Sequence, residues 1–238
     1  MAGLTKSLRN DSMNGEFKIL RWNNIHAILF SFLLIQYTIF RVRYPLIVAG
    51  GFSFLFYWLI NYNALKTFRP FAGYANRITL LRLILIIVSG LWYNELSDII
   101  IFILGLSVFC LDGLDGFIAR RLKQTSEFGA YFDMETDAFF VCIFSIILYE
   151  KGLAGYWIII PGFMRYLYGL VILLTGKKSN EKIRSRYGPL IAGLFFCALL
   201  SPFLLSVKYY GPVLIIASGL LMLSFAYSFF QIQGIRPQ

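Results

Sequence analysis

Four aspartates stand inside otherwise apolar sequence, in the stretches Asp112-Gly-Leu-Asp-Gly-Phe-Ile-Ala-Arg120 and Gly129-Ala-Tyr-Phe-Asp-Met-Glu-Thr-Asp137. On a helix turning about 100° per residue, Asp112 and Asp115 are i,i+3 neighbours and Asp133 and Asp137 are i,i+4 neighbours, so each pair shares one face. If the two helices are antiparallel neighbours joined by the basic link 120–128, the pairs converge. Ionised carboxylates buried without partners are prohibitively costly, so four together require cations, protons or both. Hard divalent cations meet that need, because they take oxygen ligands and neutralise several carboxylates at once. Gly113 and Gly116 remove side chains where a ligand or a neighbouring helix would approach, and Ala119 continues the small stripe. Arg120, four residues after Gly116, puts a fixed positive charge on the same face, suited to a phosphate.

The pattern Asp-x2-Asp-Gly-x2-Ala-Arg-x8-Gly-x3-Asp-x3-Asp resembles the motif of the CDP-alcohol phosphotransferases, integral membrane enzymes of phospholipid synthesis. Asp112, Asp115, Gly116, Ala119, Arg120, Gly129, Asp133 and Asp137 all match it at the family's spacing. The resemblance implies transfer of a phosphatidyl group from CDP-diacylglycerol to an alcohol acceptor, with release of CMP. It implies two Mg²⁺ or Mn²⁺ ions ~4 Å apart. Asp112, Asp115 and Asp133 would hold one, and Asp112, Asp133 and Asp137 the other. Asp137 would also take the proton of the attacking hydroxyl. Nucleotide contacts carried over from the family are Asn76, Thr79, Gly116, Ala119, Arg120, Ser126 and Gly129. A homodimer in the bacterial inner membrane, with its site facing the cytoplasm, completes the expectation. Two rivals stand beside it: a lipid acceptor with CDP-choline or CDP-ethanolamine as donor, and a cation transporter with an intramembrane carboxylate cluster. The transporter would need polar residues recurring through the depth of several spans.

The elements that must position these residues are membrane helices. The 238-residue chain is 58% hydrophobic and only 14% charged, a composition of the membrane class. Apolar runs mark eight spans of an all-α fold: 25–40, 45–60, 78–92, 99–118, 130–149, 156–175, 190–207 and 213–230. Residues 1–24 read as a polar cytoplasmic segment, with a short interfacial helix around 17–22 as an alternative. Residues 25–60 form a two-helix extension, and 61–238 the six-helix catalytic domain. Pro161 and Pro202 fall inside two spans, where kinks are tolerated if neighbouring helices or waters satisfy the freed backbone groups.

The net charge of +10 points to a membrane surface rather than to nucleic acid, because its distribution is topological. With the N-terminus inside, the inner segments carry sixteen Lys and Arg and the outer connections four: Arg41, Arg43, Lys151 and Lys208. Both termini and all four aspartates are therefore expected at the cytoplasmic face. The leading segment lacks the pattern of a cleavable signal peptide. Cys110, Cys142 and Cys197 lie in apolar runs without metal-ligand spacing and read as small hydrophobes.

Only Arg82 and Arg165 among the basic residues stand within spans, and each must face an anion or a cavity rather than lipid. Arg165, with Arg184 and Arg186 of the following basic connection, forms a candidate anion site for a phosphorylated acceptor such as glycerol 3-phosphate. Without the resemblance, Asn76 would be read as a helix N-cap, Thr79 as a tolerated helical threonine and Ser126 as a loop serine. Glu135 falls on the helix face opposite Asp133 and Asp137 and is left out of the site. His26, the sole histidine, reads as a satisfied or interfacial residue.

Overall fold

The computed structural model describes residues 2–175 and 188–233, with side chains for 18–175 and 188–230. Among the described residues there are helices and turns but no strand. The helices are α1 (Ala2–Phe40), α2 (Tyr44–Ile60), the single turn α3 (Tyr62–Leu65), α4 (Gly73–Trp92), α5 (Asp98–Arg121), α6 (Glu127–Glu150), α7 (Ile159–Thr175), α8 (Gly188–Leu200) and α9 (Val207–Gln233). Five segments, in α1, α4, α5, α7 and α9, are long and apolar enough to cross a membrane, and Tyr44–Ile60 and Gly188–Phe203 are shorter apolar helices. The eighth long helix, α6, carries Glu127, Asp133, Glu135, Asp137 and Glu150 and so departs from that apolar pattern. Together these make an all-α integral membrane protein.

This acidic helix is also the central one. From Phe139 to Leu148 nearly every residue of α6 is buried, and α1, α2, α4, α7 and α8 all pack against it. A helix that is apolar on every side has to be enclosed by others. By contrast α5 and α9 turn Ile99, Ile103, Leu106, Val213, Ile215, Ile216 and Leu223 outward, as lipid-facing helices do. Close packing relies on small residues in two places. A Cβ at Gly90 of α4 would lie 2.9 Å from Ile143 of α6, and one at Gly105 of α5 would collide with Leu200 of α8 and Phe144 of α6.

The leading segment is helical and joins the first apolar run without a break, since α1 runs from Ala2 to Phe40. Trp22 anchors the part of it whose side chains are described. It is 2% exposed, stacks on Tyr57 with centroids 4.0 Å apart, and donates its indole N–H to the Ser53 carbonyl at 3.0 Å, so it belongs to the core. The prolines do not kink mid-span helices. Pro161 is in the first turn of α7, where a missing N–H costs little, and Pro202 sits in the 3-10 turn Ser201–Phe203 that follows α8. The seventh span is correspondingly shorter than the apolar run, because that turn divides it from α9.

Candidate metal centre

Three helices build the site. Asn76, Thr79 and Arg82 recur every third residue along α4, and all three are buried. Asp112 and Asp115 lie near the C-terminal end of α5, and Asp133 and Asp137 near the N-terminal end of α6, so the link 122–126 brings the two pairs to the same end of the molecule. The convergence expected from their spacing is present. Carboxylate oxygens of Asp112, Asp133 and Asp137 come within 4.8 Å of one another.

The guanidinium of Arg82 lies among all four aspartates. It is fully buried, with Nη2 3.0 Å from Asp112 Oδ1 and Nη1 2.8 Å from Asp115 Oδ2 and 2.5 Å from Asp133 Oδ1. Nη2 also pairs with Asp137 Oδ1. A charged residue within an apolar span must face a partner or a cavity, and the spacing alone does not name these partners. Asp115 is the most enclosed of the four and receives a second donor, the Thr79 hydroxyl, at 3.0 Å. The structure therefore gives Thr79 a contact to a carboxylate.

One guanidinium leaves three negative charges uncompensated when all four carboxylates are ionised. An all-oxygen donor set with convergent carboxylates and excess negative charge fits a hard divalent cation. Asp112, Asp133 and Asp137 keep 34%, 40% and 31% of their side-chain surface exposed, so the cluster is open to a ligand. Along α5 the neighbouring face is open too. A Cβ at Gly113 would meet nothing within 4 Å, and one at Gly116 would meet only the Arg120 guanidinium, at 3.4 Å. Ala119 is half-buried on the same helix and Arg120 is exposed.

The remaining nucleotide candidates serve the junction of α4 and α6. Ser126 is the N-cap of α6, accepting from the Gly129 N–H at 3.0 Å, which is a structural task in itself. Asn76 is not the N-cap of α4, as its motif-free reading had it. That place is held by Ala72 in a left-handed conformation, and the Asn76 amide donates to the Ala72 carbonyl at 2.8 Å. The other end of the Asn76 amide faces Gly129, where a Cβ would lie 2.7 Å from Oδ1. Gly129 thus allows the first turn of α6 to lie on α4.

Arg165 is not among the four aspartates. Its Nε and Nη2 donate to Glu135 Oε1 of α6 at 3.0 and 2.7 Å. Behind Glu135 lies His26, 1% exposed, with Nε2 4.0 Å from Glu135 Oε2 and Nδ1 2.7 Å from the Ser53 hydroxyl. His26 is thus a packed, partnered residue, and Glu135 proves to be a buried counter-ion. Arg184 and Arg186 lie outside the described residues.

A sequence model of the CDP-alcohol phosphatidyltransferase family matches residues 73–230, from the first residue of α4 into α9. Three relatives share the name CDP-diacylglycerol–glycerol-3-phosphate 3-phosphatidyltransferase. That of Wigglesworthia glossinidia brevipalpis is 38% identical over 101 residues, covering 40% of this chain and 53% of the relative. Those of Yersinia pestis (strain Pestoides F) and Sodalis glossinidius (strain morsitans) are each 40% identical over 50 residues, 21% of this chain and 27% of theirs. The chain therefore spans about half the length, or less, of the curated relatives it matches. No solved structure matches it. The motif, the helices that carry it and the match across most of the chain agree, and the chain belongs to the CDP-alcohol phosphatidyltransferase family.

Proposed function

We propose that the protein transfers the phosphatidyl group of CDP-diacylglycerol to the hydroxyl of a phosphorylated alcohol, with glycerol 3-phosphate as the leading candidate, and releases CMP. The observation that carries this reading is the approach of Asp112, Asp133 and Asp137 to within 4.8 Å at the positions of the family motif. The relatives' names support the donor and the acceptor.

In the reaction, the acceptor oxygen forms a bond to the β-phosphorus as the bond from that phosphorus to the CMP oxygen breaks. Two Mg²⁺ or Mn²⁺ ions, held by Asp112, Asp115, Asp133 and Asp137, would supply charge neutralisation at the diphosphate. Asp137 takes the proton of the attacking hydroxyl, a role its partly exposed position near the open end of the cluster allows. Thr79 keeps Asp115 turned toward α4. Arg120, above the open Gly113 and Gly116 face, offers its guanidinium to phosphate oxygens. Asn76, Ser126 and Gly129 shape the entrance where α6 begins, and Ala119 lines the α5 side. Arg165, held by Glu135, with Arg184 and Arg186, belongs to the acceptor's anion site.

We further propose a homodimer in the bacterial inner membrane with the aspartates on the cytoplasmic side. The sixteen-to-four distribution of Lys and Arg supports that orientation. The test is to supply purified protein with CDP-diacylglycerol, Mg²⁺ or Mn²⁺, and one alcohol at a time, identifying lipid products by mass. Glycerol 3-phosphate should yield a phosphatidylglycerol phosphate. Products formed only from unphosphorylated alcohols would overturn the acceptor assignment and leave the reaction class intact.

A further inference from the structure

Arg82 contacts the same three carboxylates that approach closely enough to share a metal. Its Nη2 serves Asp112 and Asp137, and its Nη1 serves Asp133 as well as Asp115. A carboxylate oxygen that donates its lone pairs to a metal at about 2.0–2.6 Å cannot keep a full, charge-assisted bond to a guanidinium on the same lone pairs. The two cations also repel one another. Arg82 cannot withdraw into water, because it stands in the tenth position of α4 and has no exposed surface. Its Nε is buried and makes no hydrogen bond, so one donor of the fork is not engaged by the protein.

We propose that Arg82 is a resident cation of the carboxylate centre, which divalent metal must displace and whose displaced guanidinium is then paired by the diphosphate of the nucleotide substrate. The proposal rests on the metal-dependent reading above and deepens it. A guanidinium given up by the carboxylates remains buried and still requires an anion, and the substrate's diphosphate is the anion that the reaction brings. Metal and diphosphate then favour the same arrangement of Arg82, so each strengthens the binding of the other.

The test is Mn²⁺ binding by the purified full-length protein, followed by electron paramagnetic resonance with and without CDP. Arg82→Gln removes the competing charge. It should bind Mn²⁺ about 10-fold more tightly than the wild type without CDP, and the tightening that CDP causes in the wild type should shrink. In EDTA the variant should melt below the wild type, and Mn²⁺ should restore it. If Arg82→Gln cannot be recovered folded, Arg82→Met, which fills the buried space without a charge and leaves all four aspartates in place, should show the same tightening. An unchanged or weaker Mn²⁺ affinity in the folded variant overturns the proposal while the wild type still binds metal. Failure of the wild type itself to bind Mn²⁺ overturns the metal reading and the proposal with it.

Discussion

Glu135 and Arg165 neutralise one another in the interior of the bundle, with Glu135 Oε1 accepting from both Nε and Nη2 of Arg165. Glu135 is 3% exposed at its side chain and Arg165 15%, so neither charge can be left alone cheaply. Glu135→Ala should therefore destabilise the protein by about 3–5 kcal/mol, the usual cost of stranding one member of a buried pair. Glu135→Gln/Arg165→Gln, which removes both charges, should recover much of that loss. Melting in detergent checks this, and equal melting of Glu135→Ala and wild type would contradict it.

That pair also shows where the sequence stops being informative. Glu135 and Arg165 each stand in an apolar run, and two isolated intramembrane charges of opposite sign are natural partners. Its place on the face opposite Asp133 and Asp137 keeps Glu135 out of the aspartate cluster but does not name its partner. In an enclosed helix such as α6, however, the opposite face meets other helices rather than lipid. The aspartate motif was legible because its information lies in fixed local spacing on two successive helices. The link from Arg82 to those aspartates was not, because it joins α4 to α5 and α6 across 30 to 55 residues, and local periodicity sets no distance between helices. Helix number follows from apolar runs, whereas the packing of Trp22 of α1 against α2 is a tertiary contact that local sequence does not set.

The Thr79 hydroxyl gives a sharper test of a single contact. Thr79→Val keeps the shape and removes the donor to Asp115 Oδ2. Loss of one hydrogen bond to a charged group, worth about 1.5–3 kcal/mol, should weaken Mn²⁺ binding by roughly 10-fold or more while the KM for CDP-diacylglycerol at saturating metal changes little. A large rise in that KM with unchanged Mn²⁺ affinity would assign Thr79 to the nucleotide instead.

Gly129→Ala places a methyl group 2.7 Å from Asn76 Oδ1, so the Asn76 amide, which donates to the Ala72 carbonyl, would have to give way. Overpacking of this kind costs about 1–3 kcal/mol. Pairing it with Asn76→Ala should relieve the collision, so the double variant should melt above Gly129→Ala alone. Additive losses would show that the two residues do not oppose each other.

Orientation is tested at the connection between α4 and α5, which carries no Lys or Arg. A cysteine replacing Asn94 should react with an impermeant reagent in cells whose inner membrane is intact. Labelling only after that membrane is broken would reverse the topology.

The central claim is that the aspartates of α5 and α6 perform a metal-dependent phosphatidyl transfer, with Asp137 taking the acceptor's proton. The most direct measurement is CMP release from CDP-diacylglycerol by purified wild type and Asp137→Asn under saturating Mn²⁺ and acceptor, alongside CDP binding to both. CMP release by the wild type should be abolished by EDTA and restored by Mn²⁺, and the variant should still bind CDP but turn over at least about 100-fold more slowly. CMP release that persists in EDTA, or an Asp137→Asn enzyme of near wild-type rate, would contradict it.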